Sequence, residues 1–230
     1  MTYAIVQKEL VVPELDRLKR AFSVWPALTG IDAQTSANDA FGILLRGLEL
    51  EQASLLQDAL LKEGVDTIVV EESKLPSLPP GRIGRQADFD ENHLTLYDSM
   101  RRASRLAWTD IMLIASGLVK TRETPAAGGT RAKDERQQHL MLEIFLRADA
   151  GRFSIAGEDF SFDHLGAQLS KDTSMNFVRF VEQLVQHAPH AGLNRGACAA
   201  CQRPPELFPY PSKQAFNEEL TWMLWRIEQL

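Results

Sequence analysis

The stretch Leu75-Pro76-Ser77-Leu78-Pro79-Pro80-Gly81 holds three prolines and a glycine within seven residues. Proline fixes φ and removes a backbone donor, so neither a helix interior nor a central strand can run through it. Structure on its two sides must be built separately, and the chain is expected to divide into a domain over 1–75, a linker over 76–81 and a larger part over 82–230. Charge divides with it: residues 1–80 carry 7 basic and 12 acidic side chains, residues 81–230 carry 18 and 19. Across all 230 residues the net charge is −6, and the clustered basic face that nucleic-acid phosphates require is not evident. No nucleic-acid partner is expected. Apolar residues make up 44% of the chain, enough for a core, yet no run is continuous enough for a transmembrane segment. Two cysteines suit a reducing compartment, and Met1–Leu10 lacks a basic start followed by an apolar segment, so the expected location is cytoplasmic.

The first 75 residues alternate between two periods. Thr2 to Val6 is strand-like, and Pro13 to Phe22 places Leu15, Leu18, Ala21 and Phe22 at helical spacing. Gly30 to Thr35 is expected as a strand that Asn38-Asp39 turns back into the apolar run Phe41 to Leu45. A second helix follows from about Leu50, with Ala53, Leu56, Ala59 and Leu60 on one face and Gly64 at its end, before the β-branched run Thr67 to Val70. The order βαββαβ is the ferredoxin-like split βαβ arrangement, whose core is expected to join Leu18, Phe22, Ile43, Leu45, Leu56, Leu60 and Val69.

Beyond residue 82 come short runs at Ile83–Phe89, Leu94–Tyr97, Ser104–Trp108, Leu118–Thr121, Leu140–Leu146, Arg152–Ile155 and Phe160–Phe162. Seven short strands separated by turn residues suggest a barrel or sandwich. The period then becomes helical, with Phe177, Phe180, Val181, Leu184 and Val185 on one stripe capped by Ser174 or Asn176. Thr124 to Lys133 is small and polar and reads as a mobile loop between strands. A generic α+β domain, in which Asp110–Ala115 forms a helical turn, is the alternative for this half.

Two resemblances accompany this reading. Phe41-Gly42-Ile43-Leu44-Leu45-Arg46-Gly47-Leu48, with Glu51-Gln52-Ala53 and Leu60 to Val70, resembles small bacterial ferredoxin-like modules that sense or carry. Leu94-Thr95-Leu96-Tyr97-Asp98, leading to Leu106-Ala107-Trp108-Thr109-Asp110-Ile111, resembles the early hairpin and Trp-bearing strand of pleckstrin-homology and GRAM domains. Together they imply an α+β protein in which a ferredoxin-like domain precedes a pleckstrin-like barrel with C-terminal helices, and a function in binding rather than catalysis.

Candidate chemistry is sparse. His187, His190, Cys198 and Cys201 read H-x2-H-x7-C-x2-C, a ligand set that could close on zinc; the C-x2-C thiols could also pair reversibly, although the strand and aromatic residue that precede a thioredoxin-like pair are missing, and the plainer reading is two reduced thiols in a loop and two histidines at a helix C-terminus. Arg101, Arg102 and Arg105 cluster in a hairpin, with Arg82 and Arg85 one strand away, where they would meet an anionic ligand or simply keep the hairpin soluble. Asp88, Asp90 and Glu91 could share a cation but suit a solvated turn beside Asn92. At the C-terminus Phe216, Leu220, Trp222, Met223, Leu224, Trp225 and Ile227 overfill one helical stripe. That helix is expected to dock internally, or to present Trp222 or Trp225 to a homodimer or protein partner. Nucleotide-binding, dinucleotide, hydrolase and zincin motifs are all missing. The leading expectation is a non-catalytic binding or adaptor protein without a cofactor, and the alternative is an enzyme with a site between the domains built from His139, Glu143, Asp163 and His164.

Overall fold

A computed structural model describes residues 1–39, 41–122, 136–147 and 151–229. The chain forms two compact units, Met1–Leu78 with Gln214–Leu230, and Pro79–Lys213. The expected loop over 124–133 lies outside the described residues.

In the first unit β1 (Tyr3–Gln7), β2 (Ile43–Leu48) and β3 (Thr67–Glu71) form an antiparallel sheet in the order β2-β1-β3. Because β2 and β3 both oppose β1, they run parallel to each other, and α3 (Leu50–Lys62) carries the chain between them. This is a split βαβ unit, but the sheet has three strands among the described residues. The expected strand over Gly30–Thr35 is instead part of a helix, α2 (Gly30–Asp39). Thr29 explains the change: its hydroxyl accepts from the Ile31 and Asp32 amides, while Asp32 Oδ2 accepts from the Thr29 amide at 2.6 Å, a reciprocal cap that starts a helix.

The central strand reads Ala4-Ile5-Val6, and all three are fully buried, which requires cover on both faces. On one face Ile5 meets Leu18 and Phe22 of α1 (Leu15–Phe22) and Leu56 and Leu60 of α3. On the other, Ala4 and Val6 meet Ile43, Val70, Leu75 and Trp225. Trp225 belongs to α6 (Lys213–Glu228), which therefore closes the second face of this sheet rather than extending the 82–230 part, where its sequence position had placed it. Ile43 correspondingly leaves the expected single core and lies under α6. A register shift between the Ile5–Leu45 and Val6–Ile43 pairs lets Leu44 and Leu45 both turn to the α1/α3 side.

In the second unit β5 (Gln86–Phe89), β6 (His93–Tyr97) and β7 (Ala103–Ala107) form one antiparallel sheet. A second sheet runs β11 (Gly192–Leu193), β8 (Ile111–Arg122), β9 (Arg136–Leu146), β10 (Arg152–Ala156), β4 (Gly81–Ile83), with β12 (Pro209–Tyr210) also on β8. Among the described residues these sheets do not close into a barrel, which corrects the closed barrel expected for this half. Residues 160–162 form no strand; Ser161 makes one isolated bridge to Gln86, and Asp110–Ala115 lies across a short 3-10 turn and the start of β8. Helix α4 (Thr173–His187), capped by Asp172 rather than by Ser174 or Asn176, buries Phe177, Phe180, Val181 and Leu184 with Trp108, Phe153 and Phe162. Phe145 is buried too, outside that cluster. No helix among the described residues is long and apolar enough to cross a membrane.

Candidate functional site

The chain passes from one sheet of the second unit to the other at Gly84-Arg85. The Gly84 amide donates to Ser154 O at 3.0 Å and the Arg85 amide to Tyr97 O at 2.7 Å, pinning the crossing to β10 and β6. A cavity of about 470 Å³ opens beside it, lined by Arg82, Arg85, Tyr97, Arg102, Ser104 and Phe153 among others. Arg82 lies over the Phe153 ring, 5.4 Å from its centroid, a stacking that orients its guanidinium. Arg85 pairs with Asp159 at 2.7 Å.

Arg102 owes its place to the β6–β7 turn. Asp98 Oδ1 accepts from the Met100 and Arg102 amides at 2.8 and 2.9 Å, and Oδ2 accepts from Arg102 Nε at 2.6 Å. The Arg102 amide, its side chain and the Met100 amide together hold the Asp98 carboxyl below its ordinary pKa. Arg101 takes φ +60 at this turn. The expected arginine cluster therefore divides: Arg102 enters the cavity, Arg101 is exposed at the hairpin tip, and Arg105 is drawn to Asp90 at 2.9 Å near the other end of the hairpin. Arg82 and Arg85 are the ones that join Arg102. Tyr97 and Ser104 were not singled out from the sequence as site residues, and Phe153 was expected only as part of the second core. No local pattern marks Phe153, because the parallel pairing of β10 with β4 joins residues about seventy positions apart.

Of the acidic trio only Asp90 and Glu91 lie in the turn, while Asp88 belongs to strand β5. Asp90 accepts from the Asn92 amide, His93 and Arg105, which lower its carboxyl to about 2, and Asp88 takes the Tyr97 hydroxyl, raising the phenol.

The four expected zinc ligands are not brought together. Among the described residues no three His, Cys, Asp or Glu side chains lie together as metal ligands. His187 stacks on Trp108 with centroids 4.6 Å apart at the end of α4, whereas Cys198 and Cys201 ride on α5 (Arg195–Ala200) and its C-cap. That helix is clamped to β8. Asn194 caps it through the Ala197 amide and bridges Ser116 and the Tyr210 hydroxyl, and a Cβ at Gly196 would overlap Ser116 O.

The four residues of the enzyme alternative lie in different surroundings, although Asp163 is near enough to act on the charge of His164. His139 faces Glu158 at 4.0 Å. Glu143, buried, accepts from Arg152 Nε at 2.7 Å and the Ser154 hydroxyl at 2.6 Å. Asp163 is exposed. His164 sits among Phe89, Phe160, Phe162 and Phe180, and neither ring nitrogen has a hydrogen-bond partner; burial lowers its pKa to about 4.

In the first unit Trp225 of α6 is buried against the sheet, and Trp222 donates Nε1–H to Gln7 O at 2.7 Å. Gly42 has φ +92 and a Cβ there would overlap the Trp222 indole. The indoles thus serve the internal docking of α6, and Trp225 is not displayed on its unit's surface. Against known proteins, the chain matches no family model, no curated sequence and no solved structure.

Proposed function

We propose that this is a cytoplasmic, non-catalytic binding or adaptor protein whose second unit takes a small anionic ligand in the Arg82–Arg85–Arg102 cavity. The observation that carries this reading is the convergence of three guanidinium groups, from a strand, a sheet crossing and a hairpin turn, on one cavity with the hydroxyl-bearing Ser99 and Ser104. Guanidinium forks suit oxyanions, and the fixed turn around Asp98 presents Arg102 without ordering a loop. Asp98 and Asp159 compete for two of these cations, so affinity should be modest and sensitive to salt. The fold reading that accompanies this proposal is pleckstrin-like for the second unit, supported by hairpin strands followed by a helix over the core, and ferredoxin-related for the first, supported by the split βαβ.

Titration of inorganic pyrophosphate into the ¹⁵N-labelled full chain at low salt tests it. Saturable amide shifts are expected at Arg82, Arg85, Ser99, Arg102 and Ser104, weakening as salt rises. Arg82→Gln should lower affinity roughly tenfold, the loss of one charge-assisted hydrogen bond. Shifts scattered over the surface, or equal in the variant, would refute the cavity.

A further inference from the structure

Cys198 lies in the last turn of α5 and Cys201 is its C-cap. Neither is in a disulfide. Three helical steps advance about 4.5 Å along the axis and 300° around a cylinder of about 2.3 Å radius, placing the two Cα atoms about 5 Å apart. A disulfide accepts Cα separations of about 4.4–6.8 Å. The backbone holds that spacing here: the Cys201 amide donates to both Ala197 O and Cys198 O at 3.2 Å, and Cys201 keeps φ −88, ψ −1. On its inner side the helix is fixed by Asn194 and by the close approach of Gly196 to Ser116, so the two thiols are carried by a supported turn. They differ in access. Cys198 is exposed, while Cys201 is half-buried, with its thiol pKa raised by burial and by Glu182.

We propose that Cys198 and Cys201 form a reversible dithiol/disulfide pair that exchanges with a small disulfide of the glutathione class. The Cys198 thiolate attacks one sulfur of the small disulfide; that S–S bond breaks, a mixed disulfide forms on Cys198 and one small thiolate leaves. Cys201, deprotonated to solvent, then attacks Cys198 Sγ, expelling the second small thiol. The protein loses two electrons and two protons, and the small disulfide gains them as two thiols. The exposed cysteine is the entry point, and the half-buried one resolves the mixed disulfide.

Incubating the full chain with defined ratios of oxidised to reduced glutathione, followed by acid quenching, alkylation and mass measurement, tests this. As the oxidised fraction rises, the native chain should shift to a monomer lighter by two hydrogens with both cysteines closed to alkylation, and reduced glutathione should reverse it. Cys201→Ser should stop at one glutathione on Cys198, and Cys198→Ser should react more slowly; circular dichroism checks that both remain folded. If the native chain gives only stable mixed disulfides, disulfide-linked dimers or no reaction across the range, the pair does not close and the proposal falls.

Discussion

Trp225→Ala tests whether α6 is structural cover for the three-stranded sheet. Trp225 is 6% exposed and shares its cluster with Ala4, Val6, Ile43, Val70 and Leu75. A buried aromatic side chain of this size removes about 150–250 Å² from water, which at about 25 cal/mol per Å² corresponds to about 4–6 kcal/mol. Extended-chain areas overstate the burial, and measured Trp-to-Ala losses in cores run about 3–5 kcal/mol. The expected cost is therefore about 4 kcal/mol, read from guanidinium unfolding followed by far-ultraviolet circular dichroism. Leu61→Ala on α3, where the side chain is 59% exposed, is the control and should change stability by no more than about 0.5 kcal/mol. Light scattering across a concentration series completes the assay, since an interface anchor would alter mass and leave monomer stability nearly intact. A loss below about 1 kcal/mol, or a change in mass without a change in stability, would refute the internal-cover reading.

His164 makes a pH prediction. Burial among phenyl rings lowers its folded-state pKa from 6.5 to about 4 against the pull of Asp88 and Asp163, so the unfolded chain takes up a proton first as pH falls. Its contribution is full above pH 6.5 and is lost as pH drops towards 4; His164→Phe should flatten the stability profile across that window, and an unchanged slope would contradict the assignment. Gly196→Val should force α5 off β8, because the new Cβ overlaps Ser116 O; overpacking of this kind costs about 1–3 kcal/mol, visible as a drop in melting temperature, and an unaltered melting curve would show that α5 is not clamped there.

The helical periodicities of Leu18 and Phe22, of Leu56 and Leu60, and of Phe177 and Phe180 were legible in the sequence, because a helix bonds to itself and buries one stripe. A mixed α+β chain follows from those stripes and the short β-branched runs between them. Gly30–Thr35 misled because the Thr29–Asp32 cap outweighs weak strand character, a local cue that single-residue preferences overlook. Thr2 to Val6 was legible as a strand, but that Ala4-Ile5-Val6 is covered on both faces, and by which segment, is a long-range choice: α6 lies about two hundred residues downstream, and only Gly42 yielding space to Trp222 reveals the fit. The candidate cavity was half visible. Arg82, Arg85 and Arg102 stand near one another in sequence, but the pairing of β4 with β10 brings Phe153 to them, and Asp90 removes Arg105. Local hydrogen bonding is written in neighbouring residues; strand partners, shared cavities and the face a helix covers depend on contacts between distant ones, which the tertiary structure decides.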